Sequence, residues 1–183
     1  MLAVLLLLTA PVRGEMQEDP DPALVALLRE AANDVDSFPD HFDAQVWLTD
    51  MSARLQQQVT DPEERIEILK RVHFEATRAE LPPELVLAVI DVESDFDRFA
   101  ISSAGALGYM QVMPFWLKNI GRPADNLFNP QVNIRVGCMI LRYYLDREKG
   151  DMMRALSRYN GNTGSTRYSN RVLRVLSTRW FRQ

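Results

Sequence analysis

Asp21-Pro22, Asp61-Pro62 and Asn129-Pro130 each stand directly before a stretch of helix-forming residues, and this punctuation constrains the fold more than any other feature. An Asp or Asn side chain can accept hydrogen bonds from the orphan amides that open a helix. Proline at the first helical position sacrifices no hydrogen bond and has its φ already set. The first pair leads into residues 23–32, and Ser37-Phe38-Pro39-Asp40 then breaks that helix. A second run carries Leu48, Met51, Leu55 and Val59 at intervals of three and four, the spacing of one helical face. Asp61, with Glu64 three residues on, forms a capping-box pattern that starts a third helix ending near residue 79. Leu81-Pro82-Pro83 is the clearest boundary, since a residue before proline disfavours helical geometry. Beyond it the spacing predicts helices over about 84–95, 131–148, 151–159 and 166–180, with a connection rich in small residues over 97–108 and a short segment 109–120 that ends at Gly121. No alternating strand pattern extends beyond a few residues. A mainly α-helical fold is expected.

The ends carry other signals. Residues 1–14 combine a short apolar run with Val12 and Gly14 as small residues before a cut, and read as a secretory signal directing the chain to the periplasm. That run is too short to span a bilayer, so no transmembrane span is expected. Cys138, the only cysteine, excludes an intramolecular disulfide and reads as a small buried hydrophobe. His41 and His73 show no metal-ligand spacing, so neither metal nor cofactor is expected. The net charge of −4 hides an asymmetry: residues 15–50 hold ten acids and one base, whereas residues 153–183 hold seven arginines and no acid. Such a basic end either attracts an anionic polymer or is neutralised within the fold. Nucleic acid is not an expected partner.

One carboxylate stands apart. In the helix opened at Glu84, residues Val86, Val89, Ile90 and Glu93 share a stripe, and Glu84, Asp91 and Asp95 fall opposite, on the face expected to meet water. An ionised carboxylate within an apolar face is costly, so Glu93 is expected to keep its proton towards neutral pH. A protonated carboxylic acid is what cleavage of a glycosidic bond requires, and lysozyme tunes a glutamate in this way by seating it in an apolar pocket. The alternative is a helix-end glutamate swung into solvent. The segment 100–114 supplies small residues that let backbone approach a ligand, with Ser102 and Gln111 as polar groups, and Tyr159-Asn160-Gly161-Asn162 adds an aromatic body and amides.

Four ordered blocks then make a family resemblance. Glu93-Ser94-x-Phe96 with Ala100-x-Ser102, Gly105-Ala106-x-Gly108-x-Met110-Gln111-x-Met113-Pro114, Asn133-Ile134-x-x-Gly137, and Tyr159-Asn160 resemble the catalytic domain of soluble lytic transglycosylases. The resemblance implies a goose-type lysozyme-like fold, over residues 81–183, with residues 15–80 as a helical N-terminal extension open to cell-wall protein partners. It implies cleavage of peptidoglycan strands between N-acetylmuramic acid and N-acetylglucosamine, giving a 1,6-anhydro product. Glu93 would act as acid and then as base, and Ser102, Gln111, Met113, Tyr159 and Asn160 would contact sugar. The chain departs from the family pattern at Tyr109, where leucine is usual, and at Arg158, where alanine is usual. A hydrolase of the same glycan would need a second carboxylate, for which Asp97 is the only near candidate, and a non-catalytic glycan-binding module is the third reading.

Overall fold

The computed structural model describes residues 37–181 apart from Pro39 and Gly121, so the segment 1–14 and the helix expected over 23–32 lie outside the described residues. Seven α-helices follow in order: α1 His41–Leu55, α2 Pro62–Arg78, α3 Pro83–Ser94, α4 Phe115–Asn119, α5 Pro130–Arg147, α6 Met152–Tyr159 and α7 Arg167–Val175. A π-helical turn, Leu176–Trp180, continues α7. Among the described residues there is no strand; two isolated antiparallel bridges join Leu107 to Ile101 and to Val112. The fold is mainly α, as the punctuation predicts.

Asp61 and Asn129 cap their helices as expected, although Asp61 bonds to Glu63 and not to Glu64 as a capping box would have it, and Asp21 lies outside the described residues. Asp61 Oδ1 accepts from the Glu63 amide, and Asn129 Oδ1 accepts from the amides of Gln131 and Val132, with proline at the start of both helices. Within the short segment 109–120 only α4 is helical, and Gln111 before it has φ 49°, left-handed geometry that no helix can contain. The last helix loses α-helical register at Leu176. The π turn sends Trp180 fully into the core, where its Nε1 donates to Asp91 at 2.9 Å.

Helix α3 is the axis of the molecule. Leu85, Val86, Leu87, Ala88, Val89 and Ile90 are all buried, so both sides of the helix face protein. It packs against α2 on one side and against α7 and the π turn on another. This corrects the amphipathic expectation for its carboxylates. Glu84 accepts from Trp47 Nε1 at 2.8 Å, and Asp91 accepts from both Trp180 and Arg179, so of the three only Asp95 is exposed. A buried helix flank tolerates carboxylates only where donors are supplied, and the indoles supply them. Helices α1 and α2 share this same core, which runs without a break from Ala44 to Trp180. Arg65 secures their turn by donating to the carbonyls of Val59 and Thr60 and to Ser52. Glu75 on α2, its side chain fully buried, pairs with Arg78 and with Arg135 of α5. His73 stacks on Phe38 with centroids 3.4 Å apart. Cys138 is buried and its thiol pKa is pushed up by that burial, as fits a hydrophobe.

The segment between α3 and α4 is irregular, and Asn133 of α5 holds it. Its amide donates to the carbonyls of Leu107 and Leu127, and its oxygen accepts from Met110 N. Gly108 lies against this amide with φ 72°, and a Cβ there would stand 2.5 Å from Asn133 Nδ2 and 2.6 Å from the Leu127 carbonyl. Gly137 admits Met110, whose Cβ would lie 2.8 Å from an added methyl. Substituting Gly108→Ala is expected to destabilise the protein by about 2–5 kcal/mol, from left-handed strain plus overpacking. Gly105→Ala, also at positive φ but facing open space, should cost about 1–2 kcal/mol. Urea unfolding of the two variants checks the difference; equal losses would mean that Asn133 does not dictate the close approach.

Candidate active site

Glu93 occupies the last turn of α3, and three local devices aim it. Ser94 Oγ donates to the carbonyl oxygens of Ile90, at 3.2 Å, and Tyr109, at 2.8 Å, tying the helix end to the loop beyond. Asp95 and Phe96 both adopt positive φ, of 51° and 63°, so the chain turns sharply away at the end of the helix. Phe96 is then buried near Trp180, ring centroids 5.7 Å apart. Such paired left-handed residues persist only where packing overdetermines them.

The carboxyl faces a cleft of about 240 Å³, lined also by Ser102, Gln111, Met113, Trp116, Tyr159 and Asn160. All five expected sugar-contacting positions therefore surround Glu93, brought there from the 97–114 loop and the end of α6. Their free chemistry is narrower than their residue types suggest. Tyr159 donates its hydroxyl to the Met110 carbonyl at 2.7 Å, so it presents a ring and not a donor. Gln111 spends its amide nitrogen on the carbonyls of Gly108 and Ala100, leaving its oxygen as the group available to a ligand. Ser102 Oγ accepts from Ala106 N at 2.9 Å, which leaves its hydroxyl proton for a ligand. Ala104, Ala106, Val112 and Ile140 complete an apolar wall. Tyr109 is buried beneath the site and does not line it.

Burial raises the Glu93 pKa to about 7, against two opposing effects, a hydrogen bond from Tyr168 and the positive charge of Arg171. Tyr168 Oη donates to Glu93 Oε1 at 2.6 Å from the first turn of α7. The sequence reading missed Tyr168, whose signal was faint: one tyrosine one turn before the buried Val172 on an arginine-rich helix. Its own pKa rises well above the ordinary phenol range through burial and the facing carboxyl, so it stays a donor. Glu93 is the only acid lining the cleft among the described residues. Asp97 is exposed, and its Oδ1 accepts from Phe99 N. The geometry offers one carboxyl that titrates near neutrality, held by one phenol, in a groove with amide, hydroxyl and aromatic surfaces. That suits general acid and base chemistry on a sugar polymer.

Residues 71–174, more than half of the chain, match the transglycosylase SLT domain model. The chain belongs to this family. A transglycosylase of Enterobacteria phage PRD1 is 39% identical over 88 residues, covering 48% of this chain and 32% of that one. The membrane-bound lytic murein transglycosylase C of Yersinia pestis (strain Pestoides F) is 35% identical over 123 residues, covering 58% and 33%. The chain thus spans about a third of the length of these relatives. An inactive mutant of the lytic transglycosylase Slt from Pseudomonas aeruginosa is similar at a TM-score of 0.48 and 22% identity, over 81% of this chain and 31% of that one. The SLT domain match takes in Glu93, all five of the cleft positions predicted with it, and Tyr168.

Two outcomes follow from the site. Because Glu93 binds its proton more tightly folded than unfolded, its contribution to stability is complete below pH 4.5 and is lost as pH rises through about 7. Glu93→Gln should therefore gain about 1–3 kcal/mol over the parent on going from pH 4 to pH 8. A pH-independent difference in denaturant midpoints would exclude the raised pKa. Tyr168→Phe removes a hydrogen bond that favours the carboxylate. It should lower kcat/KM about tenfold while moving the alkaline limb of the pH profile upward. A purely structural tyrosine would leave that limb in place.

Proposed function

We propose that this SLT-domain protein is a peptidoglycan lytic transglycosylase, and the observation that carries the reading is a single carboxyl, that of Glu93, in a cleft lined by hydroxyl, amide and aromatic groups. Glu93 donates its proton to the oxygen linking N-acetylmuramic acid to N-acetylglucosamine. The C1–O4 bond breaks, and the leaving sugar departs with a 4-hydroxyl. The muramoyl acetamido oxygen stabilises the positive charge at C1. Glu93, now a carboxylate, removes the proton from the muramoyl C6 hydroxyl, whose oxygen bonds to C1. The proton count closes, Glu93 ends as it began, and no water is consumed. One residue serves both steps because they are sequential.

The environment supports each half of the cycle. Burial favours the protonated form needed for the first step, and the Tyr168 hydrogen bond stabilises the carboxylate needed for the second. Ser102 and the Gln111 oxygen would hold sugar amide and hydroxyl groups, while Tyr159, Met113 and Asn160 would shape the floor and rim. The absence of a second acid among the cleft's described residues favours intramolecular closure over hydrolysis. With such a substrate the working compartment would be the periplasm, to which residues 1–14 would direct the chain, and no helix among the described residues is long and apolar enough to cross a membrane. Residues 15–80 would form the extension to the catalytic region.

Mass analysis of digested sacculi tests this reading. Anhydro-ended products, lighter by one water than hydrolytic ones, are expected. Glu93→Gln should lower their rate of formation by about 10²–10⁴ while binding of glycan persists. Reducing-end products would establish a hydrolase, and unaltered turnover by the variant would remove Glu93 from the chemistry.

A further inference from the structure

The arginine-rich end resolves into two populations. Arg154, Arg158 and Arg179 are paired, with Asp151, Glu148 and Asp91 respectively. Arg167, Arg171 and Arg174 are exposed, and among the described residues none of their guanidinium groups forms an ion pair or hydrogen bond. All three lie on α7 at intervals of four and three, a spacing that gathers them on one face. The opposite face is committed to the fold: Ser169 and Val172 are buried, and Tyr168 reaches the carboxyl of Glu93. Arg171 flanks Tyr168 closely enough for its charge to act on Glu93. The stripe therefore runs along the outer face of the helix whose inner face holds the reacting carboxyl through Tyr168.

An uncompensated row of three like charges on one helix costs stability through mutual repulsion. The uncharged sugar backbone of a glycan has no use for it. The muramoyl lactyl groups, however, carry short peptides rich in free carboxylates, which recur along the strand next to each cleavable bond. We propose that the Arg167–Arg171–Arg174 face of α7 receives these acidic stem peptides, so that the protein discriminates peptide-bearing from peptide-free strands. The proposal rests on the transglycosylase reading and deepens it. Guanidinium groups suit the role because their planar forks accept carboxylates in pairs. Being exposed, the contacts contribute to capture of the strand, weaken with salt, and leave the bond-breaking step alone.

The test uses the double variant Arg167→Gln/Arg174→Gln, which keeps Arg171 and its field on Glu93. Turnover is measured on two substrates: strands with intact peptides, and the same strands stripped of peptide by an amidase, with the lactyl carboxylates that this frees capped as methylamides. On peptide-bearing strands at low salt, KM should rise about threefold to tenfold with kcat within twofold of the parent. On stripped strands both constants should be unchanged, and raising salt should close the gap between variant and parent. Equal rises in KM on the two substrates, or none on either, would overturn the proposal. So would loss of binding to vesicles of anionic phospholipid without any change in KM, which would assign the stripe to a membrane surface. If the parent forms no anhydro product from either strand, the transglycosylase reading itself fails; if it cleaves both without discrimination, only the peptide assignment does.

Discussion

Everything in the site depends on α3 being enclosed on both flanks. A helix buried all round can end only where the surrounding protein allows it to, and this one ends at the floor of a cleft. Its six consecutive buried residues leave no freedom to rotate or slide without emptying a packed core, so the carboxyl at its last turn is placed by the whole fold. Proton retention then follows from position: removing water from around Glu93 disfavours its charged form by more than the single Tyr168 hydrogen bond and the charge of Arg171 restore. Three carboxylates of one helix thus have three physical conditions, set by the neighbour each one meets.

The loop opposite is held by the reverse strategy, with polar groups bonded inward. Asn133 satisfies three backbone groups, Tyr159 one, and Gln111 two, all within the segment from Ala100 to Leu127. Outside the short helix α4 this segment has no regular structure, and it must satisfy its buried amides and carbonyls by side chains to be rigid. Several residues that would be read as ligand contacts therefore build the wall first and present only what remains: a ring, a carbonyl oxygen, a hydroxyl proton. Gly108 and Gly137 are small for the same reason, since Asn133 and Met110 occupy the space a side chain would need.

Local signals were legible where the physics is local. The caps at Asp61 and Asn129, the stop at Leu81-Pro82-Pro83 and the all-helical class depend on neighbours within a few residues, and spacing encodes them. Glu93 was legible because helical phase sets it among apolar side chains. The same phase argument failed for Glu84 and Asp91, since periodicity on one helix does not reveal a tryptophan arriving from another. Nor does spacing encode the left-handed Gln111, whose side chain bonds to the carbonyls of Ala100 and Gly108.

By itself, the sequence determined where helices start and stop, which carboxylate could be greasy, and the small-residue loop and Tyr-Asn pair that would accompany it. Only the tertiary structure decided that a phenol 75 residues away would hold that carboxylate, that two other acids would accept hydrogen bonds from indoles, and that three arginines would remain unpaired on the helix that carries the phenol. The division has a physical cause: capping, turn strain and periodicity act over one or two helical turns, whereas burial and charge pairing depend on which surfaces meet once the helices have packed.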